Sequence, residues 1–161
     1  MGYCVETLQT EFHLPAKNFD VAYKALCELN SDEHESQKTG GQMMQDTKPE
    51  NSTSISSNPN KWYAWMDWNY DETCPDLITI LTELGFTVDT DDTGIFHLAY
   101  DYNKTGAEET FLEALAPYVT PGSFIVWQGE EGETWVDAFD GKTMKSKLVD
   151  VMTTIRELLA S

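Results

Sequence analysis

After Gly85 the chain advances in short apolar runs broken by turn-forming segments, and this rhythm restricts the fold more than any other feature. Phe86–Val88 and Ile95–Tyr100 flank a turn at Asp89–Gly94. Ser123–Gln128 and Thr134–Phe139 flank a second turn at Gly129–Glu133, and Asp140-Gly141 is a tight-turn dipeptide with room for a short strand behind it. Connections this short join antiparallel strands, because parallel neighbours need a long crossover. A regular parallel α/β architecture is therefore excluded.

Helical periodicity fills the intervals. Pro15 opens a helix whose Phe19, Ala22, Tyr23, Leu26 and Leu29 recur at three- and four-residue steps. Pro75 opens a second, with Leu77, Ile80, Leu81 and Leu84 as its buried face and Gly85 as its stop. Thr105 and Glu108 make a capping box for a third, carrying Phe111, Leu112, Leu115 and Tyr118. Leu148, Val151, Met152, Ile155, Leu158 and Leu159 mark a C-terminal helix. Residues 3–14 read as a strand with Cys4, Leu8, Phe12 and Leu14 on one face. The expected fold is α+β: a mainly antiparallel sheet with helices packed on one face, in a single domain over residues 1–161.

Two segments stand apart. Residues 30–60 are rich in Ser, Asn, Gln, Thr and Gly and have no apolar period, so they read as a mobile loop within the domain, one that would order on a partner if it has a role. Trp62-Tyr63-Ala64-Trp65-Met66-Asp67-Trp68 is too aromatic for a linker and is expected to lie extended against the core. In an extended segment Trp62 and Trp68 share a parity that Trp65 lacks, so one face reaches solvent unless both are covered. Trp65 beside Asp67 is the resulting candidate interface anchor.

Charge narrows the function. The chain has 28 acids against 10 bases, a formal net charge of −18. Between Trp62 and Asp140 there are 17 acids and one base, Lys104, whereas residues 141–161 carry four bases and two acids. Such a field repels phosphate backbones and anionic bilayers, so neither direct nucleic-acid binding nor membrane docking is expected. The carboxylates gather at turns: Asp89, Asp91 and Asp92; Glu130, Glu131 and Glu133; then Asp137 and Asp140. If these turns share one edge of the sheet they form a single-sign patch able to imitate spaced phosphates. The plainer reading is a charge spread over the surface for solubility.

Motifs for chemistry are sparse. His13, His34 and His97 sit far apart in unlike settings, with no metal-ligand spacing. Asp89-Thr90-Asp91-Asp92-Thr93-Gly94 resembles half of a calcium loop, but Tyr100 stands where a bidentate Glu is needed. Cys4, Cys27 and Cys74 form no disulfide framework; Cys4 and Cys27 read as buried, and Cys74, next to a helix start, is the one thiol whose pKa a helix would lower. No catalytic residue, cofactor or metal is therefore expected. The first residues lack the basic-then-apolar pattern of a secretion signal, and the expected compartment is the cytoplasm of a bacterial host cell.

The stretches Phe111–Val119, Pro121–Ile125 and Gly129–Gly132 through Trp135 to Phe139, with the opening Phe12–Asn18, resemble a set of small acidic bacterial and bacteriophage proteins. The likeness covers half the chain, and residues 31–76 depart from it. It implies a microbial or mobile-element setting and carries over no site residue. The expectation is a non-catalytic acidic binding protein: a stoichiometric, nucleic-acid-mimicking inhibitor of a basic partner such as a defence effector, nuclease or toxin. The binding residues would be Asp89, Asp91, Asp92, Glu130, Glu131, Glu133, Trp65 and Asp67. An immunity or antitoxin-like protein and a small-ligand sponge are the alternatives, and oligomeric state is left open.

Overall fold

The computed structural model describes residues 3–31, 62, 66–104 and 108–160. Most of the 30–60 segment and Thr105 of the expected capping box lie outside them. Among the described residues, strands form two antiparallel sheets rather than one. The larger comprises β1 (Cys4–Glu11), β5 (Asn103–Lys104), β6 (Phe124–Gly129), β7 (Thr134–Phe139) and β8 (Met144–Val149), in the order β5-β1-β6-β7-β8. The smaller comprises β2 (Leu14–Pro15), β3 (Phe86–Asp91) and β4 (Gly94–Tyr100), in the order β2-β4-β3. The expected α+β class and antiparallel pairing hold.

The predicted first strand is split because Phe12 and His13 leave the large sheet before Leu14 pairs with Ile95 in the small one. Within β1, a bulge between Thr7 and Gln9 shifts the register. A bulge adds one residue and so reverses which parity faces inward. Val5 and Phe12 are buried while Leu8 is 52% exposed, so the expected Cys4–Leu8–Phe12 face does not exist.

Helices α1 (Phe19–Glu28), α3 (Leu77–Glu83) and α4 (Glu108–Leu115) follow the predicted stripes, and α1 packs against α3 and α4; the short α2 (Tyr70–Thr73) is not among the expected helices. Asp76, not Pro75, caps α3, its carboxylate accepting from the Thr79 amide at 2.8 Å. The core joins both sheets to the helices through aromatics. Trp127 on β6 meets Tyr100 at 5.5 Å and Phe86 at 6.3 Å, while Phe111 on α4 meets Trp62 at 5.2 Å and Tyr70 at 5.8 Å. Such pairs add about 0.5–1.5 kcal/mol each beyond area burial. The C-terminal helix α5 (Val151–Ala160) is the exception: none of its residues is buried.

Trp62 is buried and Trp68 is 51% exposed, although they share a parity. The chain bends at Met66–Asn69 into α2 rather than running extended, which breaks the two-residue period on which that expectation rested. Among the described residues no helix is long and apolar enough to cross a membrane.

Candidate acidic interface

The two acidic turns are built differently. At the β6–β7 turn, the Glu130 side chain accepts from the Cys4 amide at 2.8 Å, and the Glu130 amide donates to the Cys4 carbonyl at 3.0 Å. The Tyr3 hydroxyl donates to Glu133 Oε2 and accepts from the Glu131 amide at 3.3 Å. That hydroxyl holds the Glu133 carboxyl below the usual carboxylate range. Glu130 and Glu131 are exposed. The turn is thus pinned to the beginning of β1, which holds the Glu130 and Glu133 carboxylates in place.

At the β3–β4 turn, Asp91 Oδ1 accepts from the Thr93 amide at 2.8 Å and from its hydroxyl at 2.6 Å. These bonds lower its pKa. His97 Nδ1 stands 3.3 Å from Asp89 Oδ2 across the hairpin, and Asp92 is exposed at the tip. The calcium-like pattern has a structural explanation. Gly94 adopts φ 138°, and a Cβ there would overlap the Leu14 carbonyl oxygen. The glycine lets β2 approach, and Asp91 satisfies the turn's own donors.

The turns do not share an edge. Thr93 accepts from the Ala16 amide at 2.8 Å through its carbonyl and lies 3.3 Å from His13 Nε2 through its hydroxyl, beyond the far end of β1. An eight-residue strand separates the two groups by roughly 25 Å. That exceeds the screening length of about 8 Å at physiological salt. The single continuous patch is replaced by two acidic ends. The end bearing Asp91 and Asp92 also holds the β7–β8 turn, where Gly141 approaches Pro121 and Lys145 lies 3.6 Å from Asp140. Each end also carries a base: Lys145 beside Asp140 at one, and Lys104, in register opposite Cys4, at the other.

Asp137, which looks in sequence like one more turn carboxylate, is only 3% exposed. Its Oδ2 accepts from Trp127 Nε1 at 2.9 Å and its Oδ1 from the Ser146 hydroxyl at 2.6 Å. Burial pushes its pKa up, against these two bonds. It holds β6, β7 and β8 together and is not available to a partner.

Trp65 lies outside the described residues. The exposed tryptophan beside Asp67 is Trp68, whose carbonyl accepts from Asn30 Nδ2 at 2.8 Å, the same amide reaching Asp71 at 2.7 Å. No Pro or Gly announces the bend at Met66–Asn69 that leads into α2 and turns Trp68 outward. His13 ties three segments together, with Nδ1 2.8 Å from Thr120 Oγ1. Burial raises the Cys74 thiol pKa, opposite to the lowering expected beside a helix start, and Cys4 and Cys27 are partly rather than fully buried. Among the described residues no three His, Cys, Asp or Glu side chains converge as metal ligands.

Comparison with protein-family models, curated proteins and solved structures found no match to this chain. The site is therefore read from its own chemistry.

Proposed function

We propose that this chain is a non-catalytic binding protein that neutralises a basic partner, a nucleic-acid-processing or host-defence protein, by presenting fixed carboxylates where that partner expects phosphates. The observation that carries the reading is the run from Trp62 to Asp140, with 17 acids and one base. The two hairpins supply carboxylates at Glu130 and Asp91 that are already ordered by the Cys4 amide and by Thr93, so little entropy is lost on docking them. With the two acidic ends roughly 25 Å apart, the partner surface is an extended basic groove rather than one basic pocket.

The test is affinity capture from bacterial lysate, followed by binding measurements on the captured protein at rising salt. Capture of a basic protein whose affinity falls steeply with salt is the expected result. Lysine replacements of Glu130 and Glu131 together, and of Asp89 and Asp92 together, should each weaken binding, because each end supplies carboxylates to the same groove. Salt-independent binding, or full binding with both ends reversed, would return the acidity to a role in solubility.

A further inference from the structure

The helix α5 is amphipathic in the wrong sense for its own domain. Its Thr153, Thr154 and Glu157 line a recess of about 540 Å³ against Val136 and Ala138 on the large sheet. At 100° per residue, Val151, Met152, Ile155, Leu158 and Leu159 fall on the opposite side. They are 59%, 54%, 40%, 70% and 80% exposed. A helix that belongs only to its own core turns its apolar side inward; this one turns polar side chains toward the sheet and apolar ones away from it.

We infer that α5 is the seam of a two-fold dimer of this chain, paired antiparallel with its copy about Ile155. Three observations favour a second copy over another occupant. The stripe is self-complementary: its members stand at −4, −3, 0, +3 and +4 from Ile155. An antiparallel pairing there sets Val151 against Leu159, Met152 against Leu158 and Ile155 against itself, as an isologous contact requires. The same pairing leaves Arg156 at the flank of the stripe, away from the copy's Arg156, and Glu157 turned toward its own sheet, so no like charges face each other.

The second observation is charge. Residues 141–161 carry four bases against two acids, in a chain whose total is −18. Contact through any surface of the acidic middle would press carboxylates together; contact through α5 avoids this. The third is size. Five apolar side chains at these exposures make a patch on the order of 500 Å², at the upper end of what a soluble monomer shows. That is more than half of the roughly 800 Å² per partner in a stable interface.

Sedimentation of the full chain over a wide concentration range tests this. A mass of two chains is expected, and added salt should tighten the dimer, since screening relieves repulsion between two acidic bodies. Ile155→Lys places two lysines face to face on the axis and should weaken association by about 30-fold or more, the loss typical of a central anchor. Because α5 contributes nothing to the core, the near-ultraviolet circular dichroism of Trp127 and Trp135 should not change. Val151→Glu and Leu159→Lys should each dimerise poorly alone and better when mixed, because an antiparallel seam brings residue 151 of one chain to residue 159 of the other. A chain that stays monomeric at every concentration overturns the inference, as do Ile155→Lys dimers of unchanged strength or an absence of rescue on mixing. None of these outcomes depends on whether the acidic ends bind a basic partner.

Discussion

Asp137 shows how one residue's role is decided by what its strand faces. A buried carboxylate is tolerated because Trp127 and Ser146 both donate to it. Burial nonetheless raises its pKa, so its protonated form suits the folded state better than its ionised form. The sign follows: stability from this site is complete below the ordinary aspartate pKa and is lost as pH rises through the elevated folded value. Asp137→Asn can accept from Trp127 and donate to Ser146, and it has no charge to bury. It should match the wild type at acidic pH and exceed it at neutral pH in denaturant titrations. Asp137→Leu strands the indole N–H of Trp127 and should cost about 1–3 kcal/mol. A wild type more stable than the Asn variant at pH 7 would show that the ionised form is the preferred one.

Elements explain where periodicity misleads. The bulge in β1 moves Leu8 to the surface, and the bend before α2 separates Trp62 from Trp68. Neither has a Pro or Gly to announce it in those positions. The β3–β4 hairpin is the opposite case, since Gly94 was visible and its purpose was not. In Gly94→Ala the new Cβ meets the Leu14 carbonyl, and φ 138° is a conformation that alanine rarely adopts. The expected result is loss of the β2 pairing and a destabilised core around Leu14 and Ile95, read as faster amide exchange at those residues and a lower Tm. Unchanged exchange would mean that the two-residue strand is dispensable.

At the scale of the whole molecule, charge and shape act together. A net −18 on a domain of this size repels itself, which favours expanded states over compact ones. Added salt should therefore raise Tm of the isolated protein, even as it weakens any complex with a basic partner. Thermal unfolding across a salt series checks the first half, and a Tm that is flat or falling with salt would show the carboxylates to be locally compensated.

The α+β class, the hairpins, the core stripes of α1, α3 and α4 and the concentration of acid in residues 62–140 were all legible in the sequence. Each depends on local spacing, turn chemistry or counting, which a linear chain displays. Tertiary structure alone decided that the acidic turns stand at opposite ends of β1, that Asp137 is interior, that Trp68 reaches solvent, and that α5 faces its apolar stripe away from the sheet. Those outcomes depend on register, on one bulge and on the direction in which a helix leaves a strand. A shift of a single residue reverses a side chain's direction while leaving composition and periodicity almost untouched.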